Sequence, residues 1–202
     1  MKRLTAVITL LFTSLNVAAS GATTLHLKSG YVRYEVRLKT LGVGGDVVSA
    51  VNRKVIGKIA VSGDGRIEGG LIIPVVGFDS NNSRRDKDVA NILKYKEHPA
   101  ITFEVVEMAG EDIQRVLESD SGRVNLKAKI TVAGGSKIYD VILAFRSAGA
   151  NTARFTTQID AKFTDFGMDP PRLGLIVKTA PDKIDLNGDL IFEIEREEKG
   201  QP

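Results

Sequence analysis

"VNLKAKITVAGGSK", residues 124–137, alternates with period two until it reaches a turn. Val124, Leu126, Ala128, Ile130 and Val132 are apolar, and Asn125, Lys127, Lys129 and Thr131 between them are polar. A strand sends successive side chains to opposite faces, so this stretch has one buried and one wet face, the mark of antiparallel sheet. Ala133-Gly134-Gly135-Ser136 then reads as a hairpin turn into another strand at 138–146.

The pattern recurs on both sides. Val32, Tyr34, Val36 and Leu38 alternate with Tyr31, Arg33, Glu35 and Arg37. Ile184, Leu186, Leu190, Phe192 and Ile194 alternate with Lys183, Asp185, Asn187, Asp189 and Glu193. Weaker runs at 54–61, 66–76, 101–108 and 153–163 bring the expected strands to eight, with Ser62-Gly63-Asp64-Gly65 as a second hairpin turn. No long helical period interrupts them, so the crossovers of a parallel sheet are missing. Eight antiparallel strands lose their exposed edges by closing into a barrel, the expected all-β architecture. A two-sheet sandwich is the alternative.

The N-terminus reads as a leader. Lys2 and Arg3 precede an uncharged run, Leu4 to Val17, and the small residues Ala18-Ala19-Ser20-Gly21-Ala22. These are the parts of a secretory signal, with cleavage expected after Ala19 or Ala22. The apolar run is short for a membrane span, so no stable span is expected after cleavage; an uncleaved anchor is the alternative. Residues 1–22 are therefore assigned to the leader and 23–202 to one domain, periplasmic or secreted, with Glu195 to Gly200 as a solvated tail.

Cysteine is absent, which excludes disulfides, thiolate metal sites, a cysteine nucleophile and a lipid-modified cysteine. The formal charge is +3, from 28 basic and 25 acidic residues. Without Lys2 and Arg3 the balance is 26 to 25, a net +1 that gives no reason to expect nucleic acid.

Residues 78–105 are the most polar interruption. Ser83 and Asp86 stand at capping-box spacing ahead of Val89, Ile92 and Leu93, so a short amphipathic helix is expected near residues 84–96, closed by His98-Pro99. Asp79-x-Asn81-x-Ser83 resembles a calcium loop only at its start, since Arg84 replaces the required glycine and Ala90 the terminal glutamate. No metal site is expected. His26 and His98 lack partners at ligand spacing, and no G-x-S-x-G elbow occurs. Gly42-Val43-Gly44-Gly45 lacks the Lys-Ser/Thr of a phosphate loop. No catalytic residue is assigned.

The ordered motifs resemble the YceI-like family. Phe78-Asp79-Ser80 through Arg85-Asp86, then Tyr95-x-x-His98-Pro99-Ala100-Ile101-Thr102-Phe103, resembles its central signature. Phe155 to Asp160 followed by Asp165-Phe166-Gly167-Met168 is similar to its strand and turn, and Val124 to Lys137 to its hairpin. Departures occur at Ala128 to Gly134, at Ala161 in place of an arginine, and at Gly110 to Gly122, which is longer than usual and suggests a surface helix around Ile113, Val116 and Leu117.

The resemblance implies a lipocalin-like barrel that binds a long-chain lipid or isoprenoid without a cofactor, and it makes a homodimer an option. An eight-stranded barrel has room for side chains or for one ligand. Inward positions then supply the expected lining: Phe103, Val105, Leu143, Phe145, Phe155, Ile159 and Phe163, with Phe78, Ile92, Leu93, Phe166 and Met168 closing the ends. Asn81, Asn82 and Arg85 are candidates for a headgroup rim, against the alternative of a loop and helix-cap network in which Arg85 braces Asp79 or another acid. The function implied is carriage of an amphiphile; the competing one is a filled structural or stress-related barrel acting through a protein partner.

Overall fold

The computed structural model describes residues 22–40, 45–62, 66–108, 118–173 and 178–197. Apart from Ala22 the expected leader lies outside the described residues, as do Gly63 to Gly65, Gly42 to Gly44, and Ile113, Val116 and Leu117.

In chain order the strands are β1 (Thr23–Arg37), β2 (Lys39–Thr40), β3 (Val47–Asn52), β4 (Ile56–Val61), β5 (Ile67–Pro74), β6 (Phe78–Asp79), β7 (Ala100–Met108) and β8 (Ser121–Val132). They continue with β9 (Gly135–Gly149), β10 (Thr152–Ala161), β11 (Arg172–Leu173), β12 (Lys178–Thr179) and β13 (Ile184–Arg196). One α-helix, α1 (Ser83–Ile92), is described in full, with single 3-10 turns at Val75–Gly77 and Thr164–Phe166.

Eight strands close the barrel in the order β1, β4, β5, β7, β8, β9, β10, β13, and β13 pairs back to β1. Every pairing is antiparallel. The alternation of β8 is met residue by residue: Val124, Leu126, Ala128, Ile130 and Val132 are buried. On its outer face Lys127 reaches Glu107 at 2.8 Å, a cross-strand pair with β7. The turn to β9 is tighter than the sequence suggested. Ala133 and Gly134 alone form it, both with positive φ (50° and 88°), and Gly135 already pairs with Val132. Two left-handed residues match the twist of the flanking strands.

Two strand segments exceed the expectation. β1 begins eight residues before the alternation of 31–38, because its register shifts between Leu27 and Ser29 and the period breaks there. β3 lies on the same edge of β1 as β4, in the same register, so the two are one long strand interrupted at residues 53–55. Asn52, fully buried, holds that break: its amide donates to the Pro74 carbonyl at 2.7 Å and accepts from the Lys54 N–H at 2.8 Å.

The helix differs from expectation at both ends. Its cap is Asn82, whose side chain accepts from the Arg85 N–H at 3.1 Å, and Ser83 is the first helical residue. Asparagine caps as well as serine does, so the capping box read on Ser83 is displaced by one residue. Asp86 does not satisfy an orphan helix amide; it accepts from the Ser80 N–H at 3.1 Å and the Ser80 hydroxyl at 2.6 Å. The helix ends before His98-Pro99, with Leu93 as its C-cap and Lys94 left-handed at φ 51°.

Candidate functional site: the barrel interior

The barrel is not filled. A cavity of about 740 Å³ runs through its interior, within the range typical of small-molecule sites. Its walls follow from strand geometry, since residues two apart face the same side. Val32, Tyr34 and Val36 come from β1, Leu71 and Ile73 from β5, and Ile101, Phe103, Val105 and Met108 from β7. Val124, Leu126, Ile130 and Val132 come from β8, and Leu143 from β9. β10 gives Phe155, Thr157 and Ile159, and β13 gives Ile184, Leu186, Gly188, Leu190 and Phe192.

Of the expected lining, Phe78, Ile92, Leu93, Phe103, Val105, Leu143, Phe155, Ile159, Phe163, Phe166 and Met168 stand on this wall. Phe145 does not. It is buried against Phe155, ring centroids 5.4 Å apart, and Phe155 in turn meets Phe192 edge-on at 5.6 Å. Phe155 and Phe192 form the wall there, and Phe145 packs against the first of them. Tyr34, Val32, Ile101 and Leu190 also face the cavity without belonging to the expected lining, although the alternation on β1 and β13 marks the first two and Leu190 as inward.

Polar side chains enter the wall near α1: Asn82, Arg84, Arg85 and Asp88 from the helix and its cap, and Asp46 ahead of β3. Asn81 is exposed and off the wall, with its N–H on the Asp79 carboxylate at 2.8 Å and φ at 59°, a conformation asparagine tolerates. Arg85 is engaged within the loop. Its Nε donates to Ser80 Oγ and its Nη2 to the Ser80 carbonyl, both at 2.8 Å. The Ser80 hydroxyl donates a hydrogen bond to Asp86, so a buried serine joins the base to the acid. Of the two alternatives for Arg85, this is the loop network, with Ser80 standing between the arginine and the acid.

Tyr34 lies under this loop, its ring edge-on to Phe78 at 5.3 Å. Its hydroxyl is sealed from solvent with no hydrogen-bond partner among the described residues. Burial first and the Asp86 carboxylate second, opposed by Arg85, push its pKa up to about 12. The phenol is therefore neutral across the physiological range.

The 3-10 turn Thr164–Phe166 packs beside β9, where the sheet ladder stops. β9 and β10 pair from Thr152↔Gly149 to Thr156↔Ala144, and the ladder goes no further. Asp165 ties the turn to β9, accepting from Lys137 Nζ at 2.5 Å and from the Tyr139 hydroxyl at 2.7 Å. Burial pushes the Asp165 carboxyl up, but these hydrogen bonds outweigh it and hold the group below the usual carboxylate range. Among the described residues no helix is long and apolar enough to cross a membrane, and no three His, Asp or Glu side chains converge as a metal set.

The model of the YceI-like domain matches residues 12–195. Three solved structures share the fold. A polyisoprenoid-binding domain from Saccharophagus degradans, implicated in plant cell wall breakdown, superposes with a TM-score of 0.66 at 12% identity, over 87% of this chain and 99% of that one. Burkholderia cenocepacia BcnA gives 0.57 at 17% identity, over 80% and 95%. A mutant Campylobacter jejuni YCEI protein gives 0.55 at 18%, over 80% and 90%. A search of curated proteins finds no match.

Proposed function

The chain belongs to the YceI-like domain family, and we propose that it binds a long-chain lipid of the polyisoprenoid type inside its barrel and carries it through water after export to the periplasm. The observation that supports this reading is the apolar cavity itself, about 740 Å³ with its charged residues near α1. Each methylene moved from water into such a wall contributes about 0.8 kcal/mol, so a long tail binds without polar help. The polar residues near α1 suit the end of an amphiphile that stays near water. The name of the Saccharophagus degradans domain points to the same ligand class. Binding rather than catalysis is the role proposed, because the wall is apolar and Arg85 is engaged by Ser80 within the loop.

Solvent extraction of the protein purified from a periplasmic fraction, followed by mass spectrometry of the extract, tests the proposal. A co-purifying isoprenoid or similar long-chain lipid is expected. A protein that carries none, and takes up none when offered a polyprenol, would overturn it.

A further inference from the structure

Gly188 interrupts the inward row of β13 between Leu186 and Leu190. Most glycines in this barrel have a structural reason. A Cβ on Gly57 would meet the Leu71 side chain at 2.5 Å, on Gly70 the Phe103 carbonyl at 1.9 Å, and on Gly135 the Phe166 carbonyl at 2.1 Å. Gly30 is left-handed, at φ 137°. Gly188 has neither reason. Its φ is outside the left-handed region, and among the described residues a Cβ there would meet one atom within 4 Å, Thr157 Cγ2 at 3.3 Å. A glycine inside a strand weakens it, and one faced by a single side-chain methyl suits a place where something else approaches the backbone.

Register shows what that space is. Gly188 pairs with Val32 on β1 and Thr157 on β10, and all three are on the cavity wall. One level away Leu186 stands between Tyr34 and Ile159, and on the other side Leu190 adjoins Phe155. A small level is thus bounded by two bulky ones, each about 7 Å away along the strands. The Thr157 hydroxyl donates to the Ile142 carbonyl at 2.9 Å, so the atom it turns toward Gly188 is its methyl. The result is an apolar notch in the side of the cavity.

We propose that Gly188 is a specificity-determining position, opening a notch with Val32 and Thr157 that accepts a methyl branch of the ligand tail. This rests on the lipid-binding function proposed above and adds to it a preference for branched over straight chains. A methyl group placed in the notch removes apolar surface from water on both sides, whereas a straight chain leaves the space unfilled.

The test compares phytol with hexadecanol, a straight-chain alcohol of the same backbone length, by displacement of a fluorescent fatty alcohol. Wild type, Gly188→Ala and Gly188→Leu are measured, with melting temperature as the check on folding. Wild type is expected to prefer phytol. Gly188→Leu is expected to lower the phytol-over-hexadecanol ratio by about tenfold, the size of effect one methyl-sized mismatch has in an apolar pocket. Gly188→Ala, which only has to displace Thr157 Cγ2 slightly, is expected to fall between and supplies the answer if the leucine variant does not fold. Wild type binding both alcohols equally, or either folded variant keeping the full preference, would overturn the notch while leaving lipid binding intact. Wild type binding neither alcohol would instead overturn the lipid-binding function and the notch with it.

Discussion

Arg85 donates to Ser80 twice, and the same serine's hydroxyl donates to Asp86. Arg85→Gln removes the guanidinium that fixes this loop, so stability is expected to fall by about 1–2 kcal/mol. For a chain of this size that is roughly 2–8 °C in melting temperature. Affinity for anionic and neutral amphiphiles is expected to fall equally, if at all. An unchanged melting temperature with a selective loss for the anionic ligand would make Arg85 a headgroup contact instead. Tyr34 gives the opposite expectation. Its buried hydroxyl has no partner among the described residues, and an unmade hydrogen bond destabilises the folded state. Tyr34→Phe is therefore expected to hold or raise the urea midpoint, by up to about 1 kcal/mol in stability. A clear loss of stability would mean that the hydroxyl has found a partner.

At the scale of elements, two short pieces cover the places where the sheet ladder stops: α1 beside β6, and the turn Thr164–Phe166 beside β9. Asp165 holds the second through Lys137, Tyr139 and the Lys162 N–H at 3.0 Å. Asp165→Asn is expected to destabilise by about 1–2 kcal/mol, reduced from the value for a buried charged bond because Lys137 is partly exposed. The pH dependence has a definite sign. The folded pKa lies below the usual value, so the stabilisation is complete above the unfolded carboxylate pKa of about 3.9 and is lost as pH falls through the folded pKa. The gap in melting temperature between wild type and variant is expected to be constant from pH 7 to about pH 5 and to shrink below pH 4. A gap that persists undiminished at low pH would assign the effect to shape rather than charge.

These elements also mark how far sequence carries. β8 and β13 are legible because each inward residue is apolar and each outward neighbour polar. β3 is not, since Val47 is 55% exposed and Val48 half-buried, so apolar residues fall on both faces. The early part of β1 is hidden by its register shift. Asn82 and Ser83 are neighbouring residues that both cap well, and no local rule separates them. The aromatic positions of the cavity could be named from alternation, whereas the void beside Gly188 could not. A glycine in sequence is equally a turn, a close approach or a gap, and only three-dimensional neighbours distinguish them.

For the whole molecule, one closed sheet serves as both core and container. The two groups of buried residues share Tyr34, Ile101, Phe103, Met108 and Leu143 as partly buried neighbours, and these face the cavity between them. The outer surface carries apolar residues too: Ile56 and Ile72 are cross-strand neighbours, and with Val76 they are at least half exposed. A lipid therefore has two places to go, and the central claim is that it goes inside. Isotope-filtered nuclear Overhauser spectroscopy on the labelled protein with unlabelled polyprenol separates them directly. Contacts from the ligand to Phe103, Leu143 and Ile159 are expected, with none to Ile56, Ile72 or Val76. Contacts confined to those three outer residues would contradict interior binding.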